Sequence, residues 1–350
     1  MKRIVFALVL AVLCFRVSFA DARQLRTSDP GLTVVSSAPE GEVASLAEAK
    51  EIRVVFSEPM VNLGRIPPEV NPPFFKIAPA VPGTFRWSGT TVLIFTPDPK
   101  RPLAYATTYQ VTIAAGTQAA SGRKLARAAT FSFTTPTVRL LQTRWYRQDG
   151  TVNGRMVVLL RFNQPVRSAD VEPSLSATLW PHPFSPPAFT ADEQARLTAI
   201  DPDGMRRFEA KVTATRAIAA STAPVSLRVA LDWDKKTYPP SNDLVVFETE
   251  SVVLPESWVK LTLDGKLRSP AGSATPGKTQ SFTIEAEHAF FIDGFYCHTS
   301  CDPDYRNPIQ MRSAVKVTDF ATAASAKTKR VSFFMIFSCC FSGCLGTQTA

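Results

Sequence analysis

Between Val34 and Pro136 the chain passes through short segments in which apolar side chains recur at every second position, and this period most narrows the folds open to it. The segments are Ile52-Arg53-Val54-Val55-Phe56, Val92-Leu93-Ile94-Phe95-Thr96, Tyr109-Gln110-Val111-Thr112-Ile113 and Phe131-Ser132-Phe133-Thr134-Thr135. In a pleated strand successive side chains point to opposite faces. Ile52, Val54 and Phe56 therefore share one buried face, as do Tyr109, Val111 and Ile113, while their neighbours face water. Prolines close the runs at Pro59, Pro97, Pro99, Pro102 and Pro136, where a missing amide ends a ladder without interrupting a central strand. With 28 prolines against 16 glycines, the connections are expected to be stiff. The expected class is all-β, built from two-sheet sandwiches.

From Thr137 onward the plan repeats with a longer middle. Met156-Val-Val-Leu-Leu-Arg-Phe162 followed by Asn163-Gln-Pro-Val166 parallels Arg53 to Met60, including the short polar turn and its proline after a strand-ending Phe. The hairpin ends also correspond, Tyr109 to Thr135 with Val259 to Ile284, which reads as an internal duplication. Between them lie a Pro-rich insert, Pro181 to Pro187, and a strand over Val225 to Trp233, with Val225, Leu227, Val229, Leu231 and Trp233 expected on one side. The expected domains are a sandwich over 31–136, a larger sandwich over 137–287 and an incomplete β-module over 288–330, too short to bury a core of its own. The apolar, Cys-rich stretch 331–350 has no period and reads as a disordered, truncated or frame-shifted end.

Lys2-Arg3, the apolar run Ile4 to Phe15 and the small residues near Ala20 and Ala22 have the three parts of a secretory signal over 1–22. The run falls short of the about 20 apolar residues that span a bilayer. Cys14 follows bulky Leu13, which argues against lipid attachment there. The other cysteines are Cys297, Cys301, Cys339, Cys340 and Cys344, so the main domains must be held by core burial. Cys297 and Cys301 could form a local disulfide or stay free. Zinc binding with His298 would need further ligands that only the tail could supply. The net charge of +9 is scattered, with no basic face interleaved with aromatics, which argues against nucleic acid.

Gly272-Ser-Ala-Thr-Pro-Gly-Lys-Thr279 matches the lettering of a phosphate-binding loop. That chemistry needs a helix starting at Lys278-Thr279 with its amides on the anion. Gln280 to Glu285 instead alternates as a strand, and Pro276 removes one amide, so no nucleotide is expected. His182, His288 and His298 are scattered and no nucleophile elbow is present, so no catalytic residue is assigned. The acidic pairs Asp201/Asp203 and Asp232/Asp234 could bind calcium, but Asp-Pro-Asp-Gly204 reads first as a turn. No cofactor or metal is expected.

One ordered set of residues supports a resemblance. Ala38-Pro39-x-Gly41, Val54-Val-Phe-Ser-Glu-Pro-Met60, Gly83-x-Phe-x-Trp87, Leu93-x-Phe95-x-Pro97, Thr108-Tyr-x-Val-Thr-Ile113, Gly122-x-x-Leu125 and Phe131-x-Phe-x-Thr135 succeed one another in a pattern that resembles the SbsA-type bacterial Ig-like domain. The next stretch of chain, from Arg139 to Val166, and the segment from Phe295 to Cys297 resemble the successive domains near the amino terminus of bacterial alpha-2-macroglobulins. The resemblance implies tandem Ig-like or macroglobulin-type sandwiches in an exported protein of the periplasm or cell envelope, possible also as a secreted form. It implies a non-enzymatic role as the amino-terminal portion of a protease inhibitor, with other protein domains or proteases as partners and contact with the envelope surface open. The Cys-Gly-Glu-Gln thioester of that family is missing, so no trapping chemistry can be assigned. The alternative is a surface-layer or adhesin-like spacer.

Overall fold

The computed structural model describes residues 31–64, 70–295 and 309–313. In the described chain strand predominates over helix, and the chain forms two compact units. One gathers Lys50–Arg101 and Gln110–Ser132 with the segment up to Glu40. The other gathers Gly41–Ala49, Pro102–Tyr109 and the chain from Phe133 onward.

In the first unit, β1 (Val34–Ala38), β3 (Ile52–Phe56), β5 (Gly83–Ser88) and β6 (Val92–Pro97) form sheet I in the order β1-β3-β6-β5. Sheet II has the order β2-β8-β7-β4, with β4 at Phe75–Ala78 in the first unit, β2 at Gly41–Glu42 in the second, and β7 at Thr108–Ile113 and β8 at Ala129–Thr134 divided between the two. The alternation read from the sequence sets the packing: Ile52, Val54 and Phe56 are buried, and Ile52 sits opposite Phe95 and Val54 opposite Leu93. The two sheets meet through rings. Phe75 of sheet II stacks on Phe95 of sheet I at 5.6 Å between centroids and meets Phe85 edge-on at 5.0 Å. A β-carbon at Gly83 would lie 2.5 Å from the Phe95 ring and 2.4 Å from the Thr96 carbonyl, so this close approach admits only glycine. Glu58, in the turn after β3, accepts from Ser121 and Arg123 beside the Gly122 turn and ties two loops together.

The second unit contains a sandwich of two further sheets. Sheet III has the order β12-β13-β10-β9, from β9 (Leu140–Arg147), β10 (Met156–Phe162), β12 (Leu227–Val229) and β13 (Leu244–Thr249). Sheet IV has the order β11-β14-β15, from β11 (Leu175–Leu179), β14 (Trp258–Leu263) and β15 (Gln280–Glu285). Met156, Val158, Leu160 and Phe162 of β10 join Val245 and Phe247 of β13 against Val259, Leu261, Leu263 and Ile284 of sheet IV. Each such side chain contributes about 1.5–3 kcal/mol by leaving water, before the cost of ordering it.

Two expectations are corrected here. The strand read over Val225 to Trp233 is cut to Leu227–Val229. Leu227 and Val229 pack on the inner core, the chain then bends, Leu231 is 90% exposed, and Trp233 packs on the opposite face of sheet III. The second correction is a helical hairpin inserted between β11 and β12, made of α1 (Ala191–Ile200) and α2 (Pro202–Ala219). Thr190 and Glu193 cap α1 reciprocally, and Asp201 caps α2 by accepting from the Gly204 amide at 2.8 Å. The Asp-Pro-Asp-Gly segment is thus a helix start. Met205, Phe208 and Val212 of α2 recur at helical spacing and pack with Ala289, Phe291 and Ile292. Those residues lead into a two-stranded sheet of β16 (Ile292–Phe295) and β17 (Ile309–Met311). The segment read as too short to bury its own core shares one with the hairpin.

Candidate functional site

Of the segments singled out in the sequence, the Gly272–Thr279 loop has the most organised surroundings. It joins β14 to β15, which pair antiparallel from Trp258↔Glu285 to Leu263↔Gln280. The loop starts where Asp264 donates its amide to the Ser174 carbonyl at 2.9 Å and accepts from the Lys266 amide at 2.9 Å. Leu267 then turns into the sandwich core with no exposed surface. Gly277, at φ +70°, returns its amide to the Gly265 carbonyl at 2.9 Å and closes the hairpin. Lys278 is followed by β15, not by a helix, so no dipole end and no fan of amides is aimed at an anion.

The middle of this loop forms one wall of a buried polar socket at the end of the sandwich. Gln164 is 2% exposed and accepts from the Ser269 hydroxyl at 2.8 Å while donating to the Pro136 carbonyl at 3.2 Å. Pro136 also accepts from the Ala106 amide at 3.0 Å, and Ala106 accepts from the Ala274 amide at 2.7 Å. Asn163 clamps the same segment, accepting from the Arg139 amide at 2.9 Å and donating to the Thr137 carbonyl at 2.9 Å. Thr135 donates to the Ala104 carbonyl at 2.6 Å and accepts from the Thr107 amide at 2.9 Å. Each of these side chains hydrogen-bonds to backbone groups or to another of the set, so their polar atoms are buried with partners. Beside them Glu42 accepts from the Thr137 hydroxyl and from Arg139, both at 2.8 Å. Burial pulls its carboxyl upward, but these hydrogen bonds and the Arg139 charge outweigh that and hold it below the ordinary glutamate range.

Gly272 lies at the centre of the socket. A β-carbon there would lie 2.3 Å from both the Tyr105 and Ala106 carbonyl oxygens, and backbone cannot swing aside as a side-chain tip can. Gly272→Val is therefore expected to destabilise the second unit by about 1–3 kcal/mol, the range for overpacking. Thermal unfolding of the full chain checks this. A midpoint equal to the wild type would mean that the loop does not pack as described.

The other candidates are dispersed. His182 stacks on Trp258 at 4.4 Å and its Nε2 lies 2.8 Å from the Glu256 carbonyl, whereas His288 places Nδ1 3.4 Å from the Glu256 carboxylate. Asp201 caps α2. Asp203 pairs with Arg206, Asp232 with Lys235, and Asp234 accepts from the Lys236 and Thr237 amides. Among the described residues no three His, Cys, Asp or Glu side chains are placed to hold a metal ion, and no helix is long and apolar enough to cross a membrane. Cys297, Cys301 and His298 lie outside the described residues, as do the signal segment and the tail. Sequence reasoning took Asn163-Gln164 only as a turn and missed their part in the socket. The signal was present in two amide side chains directly after a strand-ending Phe, a place where water-facing residues are equally common.

No curated protein matches the chain by sequence. Solved structures similar to it include native alpha-2-macroglobulin from Escherichia coli spanning domains MG0-NIE-MG1, at 10% identity and TM-score 0.22, covering 77% of this chain and 76% of that one. The S-layer protein rSbsC is similar at 11% identity and TM-score 0.21, with 76% and 42% covered. An L,D-transpeptidase from Mycobacterium tuberculosis H37Rv is similar at 15% identity and TM-score 0.19, with 45% and 68% covered. In sequence, residues 28–135 match the family described as Bacterial Ig-like domain.

Proposed function

We propose that this chain is an exported, non-catalytic β-sandwich protein of the bacterial envelope, a structural and binding module like the amino-terminal portion of an alpha-2-macroglobulin-like protease inhibitor. The observation that carries this reading is how its polar side chains are used. Gln164, Ser269, Asn163, Thr135, Asp201 and Asp234 all spend their hydrogen-bonding capacity on the chain's own backbone or on one another. That is the chemistry of a scaffold. The Bacterial Ig-like match over 28–135 supports the same reading. Binding then falls to sheet edges and proline-rich loops such as Pro72-Pro73 and the stretch 181–187, and the partners are other domains or proteases.

The test is to mix the purified chain with trypsin and to track hydrolysis of a small chromogenic substrate in the presence of a large protein inhibitor. A module that is only part of a trap leaves the inhibitor fully effective. Substrate hydrolysis that survives the inhibitor would show trapping by this chain alone and defeat the proposal. So would calcium-driven assembly into sheets, seen by sedimentation, which would favour a surface-layer spacer instead.

A further inference from the structure

Away from the socket, β10 of sheet III is apolar on both faces from Met156 to Leu160. Val157, Leu159 and Val246 point away from the sandwich core and are covered by the stretch 230–241, whose Trp233 and Tyr238 pack on them. The cover is incomplete. Beside Tyr238 a cleft of about 390 Å³ opens, lined also by Leu159, Leu244, Thr237, Gln142, Arg144 and Arg161. The register explains the grouping: Leu159 sits opposite Arg144 and Arg161 opposite Gln142 between β9 and β10, and Arg161 opposite Leu244 between β10 and β13. Alternate positions on three neighbouring strands therefore share one face.

The charged side chains lining this cleft are both arginines. Arg161 donates to Asp243 at 3.1 Å. Arg144 is instead held by a neutral group: with its amide oriented to satisfy both atoms, Gln142 accepts from Nε and Nη2 of Arg144 at 3.1 and 3.2 Å. That contact aims the guanidinium without cancelling its charge. The opposite rim is also fixed. Tyr238 stacks on Tyr146 at 5.8 Å with 8° between the rings, its carbonyl accepts from the Trp233 indole at 2.9 Å, and the Tyr146 hydroxyl accepts from the Asp234 amide at 2.9 Å. A site held in place this way gives up little freedom on binding.

We propose that this cleft binds the carboxyl terminus of a peptide whose last residue is apolar. A planar guanidinium, here Arg144, grips a carboxylate through parallel N–H···O bonds, and Arg161 beside it, its charge balanced by Asp243, adds a further N–H donor and orientation. The half-buried Leu244 and Tyr238, backed by the buried Leu159, take the hydrocarbon side chain, and the volume falls within the range of small-ligand sites. An acidic sugar would satisfy the arginines but would set its hydroxyls against Leu244 and the Tyr238 ring, where they lose water without gaining partners. This binding role is independent of the scaffold reading above.

The probe is an acetylated tripeptide ending in leucine, titrated into the full chain and measured by calorimetry. Saturable binding is expected, weakened about tenfold or more when the peptide carries a terminal amide, since a hydrogen bond to a charged group is lost. Arg144→Gln should weaken the free-acid peptide to a similar degree and leave the unfolding midpoint in place, and Arg161→Gln should act likewise. Absence of saturation at millimolar peptide overturns the proposal. So do equal affinity for acid and amide, unchanged affinity in Arg144→Gln, or tighter binding of glucuronate than of the peptide. The acid and amide comparison on the unaltered chain holds even if a variant folds poorly.

Discussion

Arg147→Ala is expected to destabilise the second unit by about 3–5 kcal/mol, the range for removing one partner of a buried ion pair. Arg147 ends β9 in sheet III, and Glu287 lies just beyond β15 in sheet IV. The two form parallel bonds at 2.8 and 2.7 Å, with side chains only 5% and 12% exposed, and Arg147 also donates to the Gly154 carbonyl at 3.2 Å. Truncation strands the Glu287 carboxylate in a place with little water. The double change Arg147→Met with Glu287→Leu should recover most of the loss, because it removes both charges and their desolvation cost together. Urea unfolding monitored by tryptophan fluorescence measures both. A loss below about 1 kcal/mol in Arg147→Ala would place the pair in the class of solvent-screened surface bridges.

Phe247→Ala should cost a similar amount, about 3–5 kcal/mol, for a different reason. Phe247 is 1% exposed on β13, opposite Val158 of β10, inside the main core of the second sandwich. Alanine would leave a cavity that neighbours fixed in two paired sheets can only partly fill. The matched control is Leu231→Ala. At 90% exposure Leu231 should change stability by no more than about 0.5 kcal/mol. If the two substitutions proved equal in the same unfolding experiment, the assignment of the inner face of sheet III would be wrong.

These two positions also mark how far the sequence could be read. The alternating residues of β3 and β7 and the apolar run of β10 were legible because strand pattern is local and needs no partner to be recognised, whereas the strand that carries Phe247 was not singled out. Leu231 shares that local pattern with Val229, yet the bend after β12 turns it to solvent. The hairpin of α1 and α2 was marked by Thr190-x-x-Glu193 and by Asp201-Pro202, both recognisable helix starts. A reading committed to strands passed over them because Asp-Pro-Asp-Gly is equally good turn chemistry. For the Gly272–Thr279 loop, the strand directly after it was enough to set aside a phosphate cradle, and the structure adds what the loop does instead.

The socket was not legible in this way. Gln164 and Ser269 are 105 positions apart and meet at 2.8 Å, and Gly272 must be glycine because of carbonyls at positions 105 and 106. The cleft on sheet III is similar, since Gln142, Arg144 and Arg161 look like ordinary water-facing positions until β9 and β10 are paired.

By itself the sequence determined that this chain makes β-sandwiches, where the strands with the strongest apolar pattern run and which side chains of β3 and β7 turn inward, since alternation along a pleated strand is dictated by backbone geometry one residue at a time. Tertiary structure alone decided which of the two apolar faces of β10 meets sheet IV and which is covered by Trp233 and Tyr238. It also decided that Arg144 and Arg161 flank one cleft while Arg147 is buried against Glu287. Those outcomes depend on strand order and register, which bring together residues that no local period relates.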